Sequence, residues 1–148
     1  MKQLLSGGIG ACLALASATM IAAAPAQAEE EIGAHLVIEL NAAADQAEGC
    51  KLSFLALNGH ATDIAGAVFE TVLFDAEGQV DRLTLLDFAD LPAARPRVRQ
   101  FVISGMACDD IGQVLFNGAS ICEAGDLGAG ACTEGLELTS RTGIEVTG

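Results

Sequence analysis

The run Ala67-Val-Phe-Glu-Thr-Val-Leu-Phe74, Asp75-Ala-Glu-Gly78, Gln79-Val-Asp-Arg-Leu-Thr-Leu-Leu-Asp-Phe88 decides how this chain is read. Val, Thr, Leu and Phe dominate both flanks, and such residues fit a pleated, half-buried surface. Asp75 offers the turn a side-chain acceptor and Gly78 a backbone free to take positive φ. Two flanks of this kind with this joint predict a β-hairpin. After Leu91-Pro92 a third extended run follows, from Arg95 to Ile103. The three runs read as a meander at the middle of a small β-sandwich.

On the N-terminal side, His35 to Leu40 is a short strand with Leu36, Ile38 and Leu40 on one face. Asn41 to Gly49 is polar and Ala-rich and reads as a loop or a single helical turn. Cys50 to Leu57 places Cys50, Leu52, Phe54 and Ala56 on one side and Lys51 and Ser53 on the other. Asn58-Gly59-His60 breaks that strand, and His60 reads as an exposed turn residue. Ala67 to Phe74 is apolar at both parities, which fits a strand covered on both faces or one bordering a sheet edge change. On the C-terminal side, Gly112 to Asn117 is the next strand. A Gly/Ala-rich loop then spans Gly118 to Gly135, and the last strand runs from Leu136 to Thr139, extending toward Ile144 and Val146.

The first residues read as a targeting segment. Lys2 precedes an Ala-rich apolar stretch, Leu4 to Ala24, and Pro25-Ala26-Gln27-Ala28 ends in a small-x-small cleavage pattern. The expectation is a signal peptide over 1–28 and one β-sandwich domain over 29–148. Lacking a twin-Arg pair, the segment fits the general secretory route to the periplasm, or secretion beyond it. Two alternatives stand beside cleavage. Ile9-Gly10-Ala11-Cys12 has the form of a lipobox, making Cys12 a lipidated N-terminus, and the apolar run approaches the length of a membrane anchor.

All 20 acidic residues follow Ala28, against six basic ones, so the mature chain carries a net charge of −14. Such a charge disfavours nucleic acid and anionic membrane surfaces as partners. Four cysteines follow Ala28: Cys50, Cys108, Cys122 and Cys132. An even number in a short exported chain reads as two disulfides, with three possible pairings. Their spacing matches no zinc site, no Cys-x-x-Cys redox pair and no haem attachment.

Seven short strands with turn signals between them, and almost no helical periodicity, predict an all-β, immunoglobulin-like antiparallel sandwich. In that arrangement the second and sixth strands lie in opposite sheets. Cys50 opens the second and Cys108 precedes the sixth, while Cys122 and Cys132 bracket the final loop. Cys50–Cys108 with Cys122–Cys132 is therefore the preferred pairing. No Trp is present to serve as the usual core partner of an immunoglobulin disulfide.

Leu57-Asn58-Gly59, Val72-Leu73-Phe74-Asp75-Ala76-Glu77-Gly78, Leu91-Pro92 and Val98-Arg99-Gln100-Phe101 together resemble small exported bacterial β-sandwich modules of the FxLYD or fibronectin-like kind. There a strand ending in Phe-Tyr-Asp-x-x-Gly precedes a Leu/Ile-Pro turn and a strand ending in Phe. Phe74 stands where that pattern has Tyr. In overall style the chain also resembles short exported proteins of alphaproteobacteria. The resemblance implies a periplasmic address and no particular activity.

For function, no Gly-x-Ser-x-Gly motif, phosphate-binding glycine loop or paired histidines occur, so neither catalysis nor a metal or organic cofactor is expected. Asp75, Glu77 and Asp81 lack the dense Asp spacing and closing Glu of an EF-hand. Arg95, Arg97 and Arg99 alternate and so project from one strand face. They read either as partners of carboxylates such as Asp81 or Asp87 on a neighbouring strand, or as a docking stripe for an acidic peptide or anionic glycan. The leading expectation is a non-catalytic periplasmic module that binds an envelope protein or peptide, with no membrane span in the mature form. Alternatives are a small-ligand or glycan-binding sandwich using loop 118–135, and a lipid-anchored structural protein.

Overall fold

The computed structural model describes residues 32–148; the expected signal peptide, its cleavage site and Cys12 lie outside the described residues. Eight strands follow in order: β1 (Leu36–Gln46), β2 (Gly49–Asn58), β3 (Ile64–Asp75), β4 (Val80–Leu91), β5 (Arg97–Ser104), β6 (Ile111–Glu123), β7 (Glu137–Ser140) and β8 (Glu145–Thr147). They form two four-stranded sheets, β5-β2-β1-β7 and β4-β3-β6-β8.

The hairpin that organises the sequence is β3–β4, with Val72 opposite Leu83 and Phe69 opposite Leu86. Its turn closes through Gly78 N–H to Asp75 O (3.0 Å) and Asp75 N–H to Gln79 O (2.8 Å). The Asp75 carboxylate accepts from Gln79 N–H (2.8 Å) and Glu77 N–H (3.1 Å). That aspartate is therefore a turn cap, and Gly78 takes the positive φ of 81° that the turn requires.

The third run does not complete a meander. β5 leaves β4 and pairs antiparallel with β2 in the opposite sheet, Arg99 standing opposite Phe54. The crossing loop is held by Asn58: Ala94 N–H donates to Asn58 O at 2.9 Å. The side-chain amide of Asn58 donates to Leu91 O (2.8 Å) and Thr62 O (3.0 Å) and accepts from His60 N–H (2.9 Å). Asn58 is fully buried with every amide position used. The exchange of strands between sheets (β2 with β1 and β5, β3 with β4 and β6) is that of an immunoglobulin-like sandwich. The chain departs from the all-antiparallel expectation at its end, where β7 pairs parallel to β1 and β8 parallel to β6. The single last strand expected from 136 to 146 is thus two, one in each sheet.

Two further corrections concern strand length. Asn41 to Gly49 is neither loop nor helical turn, because β1 continues to Gln46 and pairs back on β2 from Ala42 opposite Ser53 to Gln46 opposite Gly49. The ladder with β2 overrides the weak strand propensity of alanine. Gly49 sits at φ 150°, where a Cβ would collide with the Ile103 carbonyl oxygen, so only glycine lets β5 approach there. Likewise β6 runs through Gly118 to Glu123, with register irregularities against β3 absorbing the glycine.

Inward alternation builds the core. Five phenylalanines (54, 69, 88, 101 and 116) meet between the sheets, and Phe88 lies 5.3 to 6.1 Å from the other four ring centres. With no Trp in the chain, this cluster supplies the aromatic centre of the core. Cys50–Cys108 ties β2 to the turn before β6, and Cys122–Cys132 closes the segment after β6, matching the preferred pairing. Disulfides of this kind fit an exported protein. Among the described residues no helix is long and apolar enough to cross a membrane.

Candidate interaction surface

The arginine row is placed differently from a docking stripe. Along β5, Arg97 and Arg99 share their side with Phe101 and the buried Ile103, whereas Val98, Gln100 and Val102 face outward. Both β5 and β4 are edge strands, and the Arg99 guanidinium reaches from one to the other. Its Nε donates to Phe88 O, and its Nη2 donates to Asp90 O (2.8 Å) and Asp90 Oδ1 (3.1 Å). Arg97 Nη2 lies 3.7 Å from Asp90 Oδ2. Carboxylate pairing was one of the two readings of the row, and the acid is Asp90 rather than Asp81 or Asp87. Arg95 precedes β5, is exposed, and makes no ion pair among the described residues. Two members of the row clasp the sheets together, and one stands free.

His60 is half-buried, and its Nε2 lies 2.9 Å from Ala131 O, pinning the segment closed by Cys122–Cys132. It is thus a structural contact and not the exposed turn residue expected. Loop 118–135 is much shorter than expected, since β6 takes its first part and two 3-10 turns, Gly125–Leu127 and Ala129–Cys132, follow. Beside it lies a cleft of about 300 Å³ whose lining includes Phe69, Phe116, Asn117, Thr133, Leu136 and Leu138. Asp109 and Asp110 lie in a 3-10 turn, Cys108–Asp110. Among the described residues no group of three or more His, Cys, Asp or Glu is arranged to hold a metal ion. One carboxyl is held below its ordinary range: Glu39, by hydrogen bonds from the Asn41 amide (2.9 Å) and then Arg141 (2.8 Å).

The feature that sequence reading missed is the outer face of the second sheet. Cross-strand register puts Leu83, Val72 and Leu115 in one row over β4, β3 and β6. Neighbouring rows add Leu85 beside Glu70, Val68 beside Ile121, and Val80 beside Phe74. Leu83, Leu85, Val80 and Ile121 are 60, 59, 57 and 48% exposed, and no element of the described residues covers them. A large exposed apolar patch on a sheet is a mark of an interaction site. The double apolar parity of β3 carries the signal, which fits a strand covered on both faces or one bordering a sheet edge change as well as it fits an exposed apolar face.

Charge divides the two sheets. β3, β4, β6 and β8 carry Glu70, Asp75, Asp81, Asp87, Asp90, Glu123 and Glu145 against one basic residue, Arg82. Arg82 is itself spent on Asp81 and on Ser104 O (2.9 Å). The apolar face therefore has an acidic fringe and no free cation of its own. Comparison with protein-family models, with curated proteins and with solved structures returned no match.

Proposed function

We propose that this chain is a non-catalytic interaction module of the bacterial periplasm that docks an envelope protein through the outer face of its second sheet. The observation that carries the reading is the exposed pair Leu83 and Leu85 at the edge of the row Leu83–Val72–Leu115, in which Val72 itself is buried. The occupant is a protein segment with an apolar side and basic flanks, because the fringe around this row is acidic. Export rests on the leader-like N-terminus and fits the two disulfides. The arginine row takes no direct part: Arg97 and Arg99 are occupied with Asp90.

Capture from periplasm tests the reading. A Leu83→Ser/Leu85→Ser variant, folded by circular dichroism, is expected to lose a partner that wild type and Arg95→Ser both retain. Retention by the leucine variant and loss by Arg95→Ser would restore the arginine reading. The cleft beside Thr133 and Leu136 supports a second reading, a small apolar or glycan ligand. Ligand-induced shifts confined to Thr133–Leu138, with nothing at Leu83 or Leu85, would favour it.

A further inference from the structure

A sheet edge leaves one side of a strand's backbone unpaired, and folded proteins normally blunt such edges. Four strands lie at edges here: β5, β7, β4 and β8. β5 is entered through Pro96 and turns Arg97 and Arg99 inward, both recognised devices against pairing. β7 and β8 are four and three residues long, too short to template a partner. β4 is different. It runs twelve residues and pairs with β3 alone. It is covered in its last part, where Arg99 caps Phe88 O and Asp90 O, and crossed at Arg82, whose side chain, on the side of Leu73, donates to Ser104 O of β5 at 2.9 Å. Apart from that crossing, the outer backbone edge from Val80 to Asp87 stays open among the described residues, beside Leu83 and Leu85.

Resting on the interaction reading above, we propose that β4 is a strand-addition site for an extended segment with alternating apolar side chains and basic flanks. The segment pairs along Val80–Asp87 and extends the second sheet by one strand. Its apolar side chains continue the row Leu83–Val72–Leu115, and its basic ones meet Asp81, Asp87 and Glu70. Main-chain hydrogen bonds supply affinity in this mode, and the alternate side chains supply specificity.

A second copy of this chain fits the edge poorly. Antiparallel self-pairing centred on Thr84 sets Leu83 against Leu85 of the other copy, but it also sets Asp81 against Asp87 twice. Like charges directly opposite destabilise a strand pair, and each chain carries a net charge of −13. Charge complementarity selects a basic partner.

The probe is a heptapeptide, Lys-Thr-Val-Thr-Val-Thr-Lys with blocked ends, whose Lys residues fall opposite Asp81 and Asp87 and whose Val residues fall opposite Leu83 and Leu85. It is run beside a form with Glu at both ends and two forms N-methylated on alternate amides, one for each edge. Calorimetry gives affinity against the domain 29–148, and hydrogen exchange locates the site. The Lys peptide is expected to bind and to slow exchange within Val80–Asp87. The Glu form is expected to bind at least about tenfold more weakly, and one N-methylated form, but not the other, is expected to lose binding by a similar factor. Equal binding by both N-methylated forms would overturn strand addition while leaving face docking intact. Binding unchanged by Leu83→Ser/Leu85→Ser, with protection mapped elsewhere, would overturn both. No binding by the Lys peptide at about 1 mM, or pairing of the domain with itself, would also overturn the inference. N-methylation alters only the peptide, so folding of the protein does not enter.

Discussion

Replacing Arg99 by alanine is expected to destabilise the fold, although a surface arginine would ordinarily be expendable. Its guanidinium joins an edge strand of one sheet to an edge strand of the other, donating to two main-chain carbonyls and to the Asp90 carboxylate. The side chain is only 22% exposed, so little water replaces those bonds. Hydrogen bonds from charged donors are worth about 1.5–3 kcal/mol each, but the Asp90 side chain is 62% exposed and its ion pair adds little. Because β4 can relax toward solvent once freed, the expected net loss is about 2–3 kcal/mol, or roughly 10 °C in Tm for a domain of this size. Arg97, with one contact at 3.7 Å, is expected to lose less than about 1 kcal/mol, and Arg95 to stay within about 0.5 kcal/mol of wild type. Urea unfolding of the three single variants, with Asp90→Ala as the partner deletion, measures the series. Three equal effects, or a stable Arg99→Ala, would refute the clasp and return the row to the surface.

The two disulfides close loops of sequence separation 58 and 10. Chain-entropy reasoning gives losses of about 4 and 3 kcal/mol for Cys50→Ala/Cys108→Ala and Cys122→Ala/Cys132→Ala. Urea unfolding that reversed this order would contradict that account. Asn58→Leu leaves Thr62 O, Leu91 O and His60 N–H without their side-chain partner, and thermal unfolding is expected to show a loss of about 3 kcal/mol. A loss under about 1 kcal/mol would mean that the crossing loop does not depend on it. Glu39 titrates below the ordinary glutamate value of 4.5 in the folded chain. Its ionised form therefore favours folding above the ordinary value, and that contribution disappears as pH falls through the lowered one. Glu39→Gln is expected to flatten that acid limb of stability by under about 1 kcal/mol, and an unchanged limb would argue against the Arg141 and Asn41 contacts.

What the sequence made legible follows from how local each signal is. The β3–β4 hairpin was readable because Asp75 and Gly78 encode the turn within four residues. The disulfide pairing followed from which strands the cysteines flank. The sheet that β5 joins was not readable, since it depends on Asn58 holding the crossing loop from a strand far back in the chain. Carboxylate pairing was one of the two readings of the arginine row, but which acid it meets was not legible, because Asp90 approaches from the other sheet. Arg97 and Arg99 share parity with Phe101 and Ile103, so they belong to the core side of β5. Leu83 and Leu85 were masked by Leu86 and Phe88, which are apolar at the other parity. The alternation runs unbroken from Leu83 to Phe88, and the phase shifts only past the irregularity at Ala89 (φ 53°), where Leu91 turns inward. Uniform hydrophobicity hides which face is wet until the register is known. The extension of β1 through Ala42–Gln46 was hidden for the opposite reason, as alanine carries almost no strand signal.

Site-specific photocrosslinking in the periplasm tests the central claim most directly. A photoreactive residue is placed at Leu85, on the outer face of the second sheet, and in a separate variant at Ser53, on the outer face of the first. The account predicts a discrete protein adduct from position 85 that is lost when Leu83 is changed to Asp, and none from position 53. An adduct from position 53 alone, or equal adducts from both, would contradict it.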